Sequence, residues 1–569
     1  MAARTIQINS FCGGTSKLLD SEFIGMEETV NMYPETVSAQ DSYTTRILKS
    51  VEGFSYVHHA DTWRGDLVSI ASVPANPSVV EESLLLITDA GAEFDAYTLW
   101  NGVLKQVGSP SMSVVNNPKA ISLSNGLTLF LNDGEIFAID PTTESGSTIP
   151  KITLPDSFSH AGKIYPTEMA QLNYRVILND SGTDYIYWSE INRPGDPTDT
   201  HAFEQTLTRY AYTKLDGTSV TFSDNVYYPP AEGTYTGALS SETVSVSSLN
   251  SMRMDFKADS VTALRATDSS LFVFGQSSLQ VLAWQNSTIA PFAIVSKTSS
   301  VGLDLPKTAV VIDRECYFVG KGVGGLLGVW AVNESGQLRK VSTNSEDQRI
   351  AAKSEGLNAS AFSYSYKGHT FYVLAFGNVG HETVAYDITE GLWSDRACFD
   401  SQGNKRPWNV DSCVMIKGKP VFLAENEQAE THLLMEFDPE SNTDHFKAFP
   451  FEGSPIERIR TTGIKYDGVN DIMVTGLEII MNNGSTKVLE EQQPGYNPRV
   501  MLQVSVDGGR TWSNELWAYA GRTGQYSWRT RWNGLGRGAR FAFRVKMAEP
   551  VAFEIATAYL TYIPCGNRI

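Results

Sequence analysis

Ser505-Val506-Asp507-Gly508-Gly509-Arg510-Thr511-Trp512 holds the densest polar pattern in this 569-residue chain. A carboxylate placed two residues after a hydroxyl can bind the backbone of its own turn. The glycines take positive φ there, and the tryptophan covers the hairpin. The chemistry expected of Ser505, Asp507, Gly509, Thr511 and Trp512 is therefore that of a structural turn. Gly320-Lys321-Gly322-Val323-Gly324-Gly325 satisfies G-x-G-x-x-G, but a dinucleotide site needs a helix next, and Leu326–Val332 reads as a strand. His381-Glu382-Thr383-Val384-Ala385 has alanine where a zinc motif needs its second histidine. His58 and His59 are adjacent, so on a strand they face opposite ways. No G-x-x-x-x-G-K-[ST] phosphate loop occurs. The 64 acidic residues neither locate nor exclude a glycosidase pair. The expectation is no catalytic residue, no bound cofactor and no metal site.

Arg522, Arg529, Arg531, Arg537, Arg540 and Arg544, with Lys546, form a basic run interleaved by Trp528 and Trp532. Two chemistries fit it. One is a stacking and phosphate platform for nucleic acid; the other is an Arg- and Trp-rich subunit interface with acidic neighbours. Charge favours the interface. The chain carries 45 basic and 64 acidic residues, net −19. From Ile456 onward there are 14 basic and 10 acidic residues, and before it 31 and 54. A body so acidic does not wrap nucleic acid by neutralising phosphates, though it can stand beside nucleic acid and repel it.

The elements that position these groups read as all-β. Short apolar and aromatic runs pair across Gly-, Asn- and Asp-rich turns. Their first strands begin near 84, 127, 175, 271, 315, 369 and 420. Apart from one double step, the spacing is roughly 45–50 residues, the period of β-propeller blades. The double step holds a polar stretch, 206–256, read as an insertion. The fold expected is a β-propeller of six or seven blades with an additional β-sandwich-like platform domain. Its boundaries are 1–55 for an N-terminal arm belonging to the platform, 56–445 for the propeller, and 446–569 for the C-terminal platform. One helix is expected after a Thr343/Glu346 capping box, over Asn344–Lys353. Apolar residues make up 41% of the chain and mean hydropathy is −0.20, which excludes wholesale disorder. No run approaches a membrane span, and the start carries no signal-peptide pattern. Five scattered cysteines make no disulfide framework, as expected of synthesis in a reducing cytoplasm.

The pattern Ser505–Trp512 resembles the Asp-box of sialidases and related propellers. That keeps open a carbohydrate-active propeller, either a sialidase-like hydrolase or a glycan-binding adhesin. A broader resemblance runs along the chain. It is carried by Val30-Asn31-Met32-Tyr33-Pro34-Glu35, Val51-Glu52-Gly53-Phe54, Tyr185-Ile186-Tyr187-Trp188-Ser189, Leu271-Phe272-Val273-Phe274-Gly275 and Arg339-Lys340-Val341-Ser342-Thr343. Further along it is carried by Gly368-His369-Thr370-Phe371-Tyr372, Leu392-Trp393-Ser394 and Trp532-Asn533-Gly534-Leu535-Gly536. In order and spacing these segments resemble the tail hub or tail nozzle family of short-tailed bacteriophages, also called packaged-DNA stabilisation proteins. The resemblance implies a virion protein made in the host bacterial cytoplasm and forming a homo-hexameric ring. Its implied partners are tail adaptor (head-to-tail connector) proteins and tail fibre or spike proteins. Double-stranded phage DNA would pass through the ring without specific binding. No enzyme activity, cofactor or membrane span is implied. The stretch 206–256 departs from the pattern and inherits nothing from it.

Overall fold

The computed structural model describes residues 2–17, 27–37, 46–58, 63–75, 81–91, 93–100, 103–109, 119–123, 126–142, 148–190, 202–224, 226–254, 259–285, 291–298, 301–322, 324–325, 327–352, 358–377, 382–400, 402–425, 431–439, 441–444, 454–481, 490–525 and 528–567.

All seven expected hairpins form, each as an antiparallel strand pair. At Asn132-Asp133-Gly134-Glu135 the two central residues take φ of +47° and +74°, the mirror-image turn that matches strand twist. The first blade is Asp66–Val73, Ser83–Asp89, Phe94–Trp100 and Val103–Gly108. The second is Lys119–Ser122, Thr128–Asn132 and Glu135–Ile139, with Lys151 bridged to Phe137 outside them. The third is Met169–Leu172, Arg175–Asn179, Tyr185–Trp188 and Ser251–Arg253. The fourth runs Val261–Ala266, Ser270–Gly275, Leu279–Trp284 and Phe292–Thr298. In the fifth, Val310–Ile312 and Gly302–Leu303 both pair with Glu315–Lys321, followed by Leu327–Asn333 and Leu338–Lys340. The sixth is Asn358–Tyr366, His369–Gly377, Glu382–Asp387 and Leu392–Arg396. The seventh is Val410–Ile416, Lys419–Glu425 and His432–Asp438, and its outer strand is Gly53–His58 from the other end of the chain.

The central strands are apolar on both faces because each sheet is covered on both sides. Phe94 of the first blade meets Phe130 and Phe137 of the second edge-to-face, with ring centroids 4.9 and 5.4 Å apart. Burying Phe130, which is fully inaccessible, contributes about 1.5–3 kcal/mol. The first strand of each blade packs on that of the next, and the seventh packs back on the first. These strands surround a central cavity of about 790 Å³.

At the seam between the seventh and first blades, Val421, Leu423 and Leu434 pack with Trp63, Leu67, Ile70 and Leu86. Lys417 reaches Glu81 at 2.7 Å. His432 stands between Asp66 of the first blade, 3.0 Å from Nδ1, and Asp411 of the seventh, 2.9 Å from Nε2. Burial alone would lower its pKa, but the bonds to Asp411 and Asp66 outweigh burial and raise it to about 10. A raised pKa means that the imidazolium's contribution is complete below the unfolded value near 6.5 and fades as pH rises through about 10. His432→Gln is therefore expected to lose about 1–3 kcal/mol at pH 7. Melting curves from pH 6 to 10.5 check this: the gap between wild type and variant should close at the alkaline end.

Insertion and domain boundaries move slightly. The structure puts Ser251–Arg253 in the third blade as its outer strand, so the inserted element is shorter than 206–256. It is a sheet of Glu204–Lys214, Ser219–Val220 and Tyr235–Leu249, joining the third strand of that blade to the fourth. Pairing with Tyr185–Trp188 captures the chain once the hairpin has returned. A boundary between 55 and 56 would cut Gly53–His58, which pairs along its length with His432–Asp438.

The remaining strands form a sandwich. One sheet runs Met32–Thr36, Arg46–Ser50, Ile555–Asn567, Asn470–Met481, Trp528–Gly538, with Arg4–Gln7 also on Ile555–Asn567. The other runs Glu28–Val30, Arg458–Thr461, Ala542–Met547, Arg499–Ser505, Leu516–Tyr519. Leu477, Ile479 and Trp532 from the first pack with Val500, Leu502 and Phe543 from the second. Residues of the N-terminal arm thus enter both layers. Val30 also pairs in parallel with Asp395, which joins the second sheet to the outer edge of the sixth blade.

The helix forms over Asn344–Ala351. Its cap differs from the expected box: the Thr343 hydroxyl donates to the Glu346 carboxylate and makes no cap bond to the helix backbone.

Candidate functional site

The turn 505–512 is built as its residue types require. Asp507 Oδ1 accepts from Ser505 Oγ at 2.7 Å, from the Arg510 N–H at 3.1 Å and from the Thr511 N–H at 3.0 Å. Its other oxygen accepts from Thr511 Oγ1 at 2.5 Å. Ser505 Oγ in turn accepts from the Gly509 N–H at 2.8 Å. Gly508 and Gly509 take φ of +82° and +93°, which L side chains rarely adopt. Burial would raise the Asp507 pKa, but the bonds from Thr511 and Ser505 bring it down to about 2. A carboxylate so stabilised as an anion is a poor general acid. The turn joins Arg499–Ser505 to Leu516–Tyr519, both in the sandwich. It therefore belongs to no propeller blade, and the feature that kept a carbohydrate-active propeller open lies outside the propeller.

The six arginines do not gather in one patch. Arg529, Arg531 and Arg537 lie exposed on Trp528–Gly538, the edge strand of the first sandwich sheet. Arg529 approaches Glu478 at 3.3 Å and Arg537 approaches Asp471 at 3.2 Å. Arg544 is in the facing sheet, half-buried, with its guanidinium 4.0 Å from the ring centroid of Trp512. Arg540 is backbone-bonded to the Asp507 turn through Gly508. Arg522 stands exposed in the loop before the edge strand. Trp532 is buried, which leaves it no free stacking face, and Trp528 is partly buried; their indole N–H groups donate to Leu516 O and Tyr519 O.

Residues with no motif around them hold the two modules together. Asp395, fully buried, lies 2.5 Å from Lys405 Nζ, 3.1 Å from Arg349 Nη1 and 3.4 Å from Lys17 Nζ. Glu28 takes Lys17 at 2.7 Å and Lys405 at 3.3 Å, and Glu382 takes Arg349 at 2.8 Å. Three cations thus face three carboxylates across the arm, the helix and the sixth blade. Asn31, at φ +53°, donates through its amide to Ala397 O and Glu457 O at 2.7 and 2.9 Å and accepts from the Ala397 N–H. Arg460, fully buried, donates to Phe11 O, Gly14 O, Ser10 O, Thr29 Oγ1 and Glu27 Oε2 at 2.6–3.0 Å.

Gly320 and Lys321 end a strand, Gly325 closes a turn on Gly322 O, and Leu327–Asn333 returns as a strand, so no helix follows the glycines. His59 and His381 lie outside the described residues. Among the described residues no group of His, Cys, Asp and Glu is arranged to hold a metal. The five cysteines form no disulfide, and burial pushes the Cys12 and Cys316 thiols up to about 11 and about 12.

A ring of seven small antiparallel sheets, the sixth bonded edge-on to a two-layer sandwich, defines a two-module β-propeller and β-sandwich architecture. Residues 157–419 match the family model described as bacteriophage P22 Gp10, beta-propeller, and residues 457–562 the one described as bacteriophage P22 Gp10, beta-sandwich. The chain belongs to this tail hub or nozzle family of short-tailed phages: it is a structural protein of the phage tail, and works among the other components of the virion. A comparison with curated proteins finds no match. Similar solved structures include the extracellular domain of a hybrid two-component system from B. thetaiotaomicron, with a TM-score of 0.35, 8% identity, and coverage of 68% of this chain and 40% of that one. The chain therefore spans well under half of that relative. Kluyveromyces lactis Hsv2 gives 0.29 at 12% identity, with 65% and 97% covered. The AfRom2 CNH domain gives 0.32 at 10%, with 68% and 97% covered. No helix among the described residues is long and apolar enough to cross a membrane.

Proposed function

We propose that six copies of this chain form the distal ring of the tail, which closes the DNA channel to retain the packaged genome and opens for ejection. The observation that carries this reading is the match of both modules, in chain order, to the P22 Gp10 models. In this reading the sandwich and the N-terminal arm build the ring. Adaptor proteins dock on one side of it, and fibres or spikes attach nearby. The chain performs no catalysis. The contrast between a basic C-terminal fifth and an acidic remainder supports contact of one copy's sandwich with its neighbour's acidic body. Exposed Arg529 and Arg531 are the side chains we assign to that contact.

The acidic excess serves the channel. A lumen rich in Lys and Arg would bind each phosphate it met, with an affinity that grows steeply with contact number. An acidic lumen keeps the duplex off the wall over a Debye length of about 8–10 Å. The inserted hairpin of the third blade is our candidate for the tip. Its described side chains are exposed or half-exposed except Val220. In a ring of seven, the third blade is as far as possible from the sixth, where the sandwich attaches.

The test is electron microscopy of the assembled protein beside an Arg529→Glu/Arg531→Glu variant. Wild type should give six-fold rings whose axis-facing side chains carry more Asp and Glu than Lys and Arg. The variant should remain a folded monomer. Rings formed equally well by the variant would remove the arginines from the interface, and a net positive lumen would refute the sliding argument.

A further inference from the structure

The central cavity of the propeller has a wall whose charge is opposite to that of the molecule. Its volume, about 790 Å³, is that of a small-molecule site. Lys119 of the second blade, Arg265 of the fourth and Lys307 before the fifth all line it. Lys119 and Arg265 share one carboxylate, that of buried Glu168, which lies 2.8 Å from Arg265 Nη1 and also receives the Lys119 ammonium. Lys307 has no ion-pair partner among the described residues, and it is exposed. The wall's other carboxylate, Asp411, is taken by His432 at 2.9 Å. Ser69, Ser122 and Gln171 add neutral hydrogen-bonding groups.

We propose that this cavity binds a small oxyanion of the phosphate class between Lys119, Arg265 and Lys307. In a chain of net charge −19, a concave site lined by three cations, two of which share one counter-ion, carries a positive excess, and an oxyanion matches that charge. Arg265 is held in place: Nε donates to Ala309 O at 2.6 Å, Nη1 to Leu264 O at 2.7 Å as well as to Glu168, and Nη2 to Pro306 O at 3.2 Å, which leaves one Nη2 N–H for a ligand beside the guanidinium charge. The ionisation of Lys119 agrees. Burial, joined by the charges of Arg265 and Lys307, pushes it down to about 8 against the pull of Glu168. A bound anion would favour the ammonium, so binding near pH 8–9 should take up a proton and weaken as pH rises further.

The experiment titrates inorganic phosphate into the full-length protein by calorimetry, with sodium chloride at matched ionic strength as the control. Titrations at pH 8.5 in two buffers of different ionisation enthalpy read the proton. The expected result is saturable one-site binding with net proton uptake, weakened at least tenfold by Lys307→Glu. Lys307 is exposed and carries no fold contact that the variant would break, and an unchanged circular dichroism melt verifies that. Lys105→Glu, on the outer strand of the first blade, should bind as wild type does. Heat no greater than that of sodium chloride, or equal binding by Lys307→Glu, would overturn the proposal.

Discussion

Asp395→Ala is expected to cost about 3–5 kcal/mol, because it leaves three cations, buried Arg349 among them, facing only the two carboxylates Glu28 and Glu382. In the native junction Lys17, Arg349 and Lys405 face Glu28, Asp395 and Glu382. Asp395 touches all three cations and is itself fully buried. The segments freed are those it joins: the arm through Lys17, the helix through Arg349 and, through Lys405, the short strand Lys405–Arg406 that pairs with Cys398–Phe399. Thermal unfolding of the purified variant should show an earlier transition, and limited proteolysis should cut the arm first. Burial would raise the Asp395 pKa, but Arg349, Lys405 and Lys17 hold it well below the usual carboxylate range. A depressed pKa gives stability that is present above the unfolded value and lost only as pH falls through the folded one. The wild-type junction should thus survive at pH 4.5. An Asp395→Ala protein that melts with wild type would show that the six charges do not act as one network.

Arg460→Met should be nearly as costly, about 3–5 kcal/mol, but through a different route. Methionine fills much of the space and makes none of the five hydrogen bonds. Three carbonyls of the arm, the Thr29 hydroxyl and the Glu27 carboxylate then lose their donor. Because those bonds all run to residues 10–29, the arm should detach while the blades keep their packing. Hydrogen exchange distinguishes the two outcomes: rapid exchange confined to the arm and its sandwich partners is expected. Equal acceleration in the blades would mean that Arg460 supports the whole molecule.

What could be read from the residues was what local chemistry controls. Gly-, Asn- and Asp-rich turns between short apolar runs declare hairpins, so the seven strand pairs are legible. Contacts made at long range did not. Gly53–His58 reads as any short strand, and nothing within it says that its partner is His432–Asp438. The insertion's end was misplaced because Ser251-Met252-Arg253 is as polar as the hairpin before it; only pairing with Tyr185–Trp188 gives it a place. Buried charges were missed for a compositional reason, since Arg and Asp are ordinarily surface residues. One signal was available. Arg458-Ile459-Arg460-Thr461 is a strand buried at every position, and two arginines so placed must find internal acceptors. The basic run misled in the opposite sense. On Trp528–Gly538, exposed Arg529 and Arg531 alternate with buried Thr530 and Trp532, so period-two spacing places these two on one face. It could not place Arg544, which belongs to the opposing sheet.

The seventh blade's outer strand has a consequence for timing. A ribosome releases Gly53–His58 early, yet the strand it must pair with, His432–Asp438, appears several hundred residues later. Arg4–Gln7 waits longer still, for Ile555–Asn567. Non-local pairings of this separation form late, because the entropy of closing the loop must be met before any contact rewards it. The ring of blades and the sandwich therefore both stay open at one edge during most of synthesis. Both modules thus acquire their last strand pairs only when translation is nearly finished.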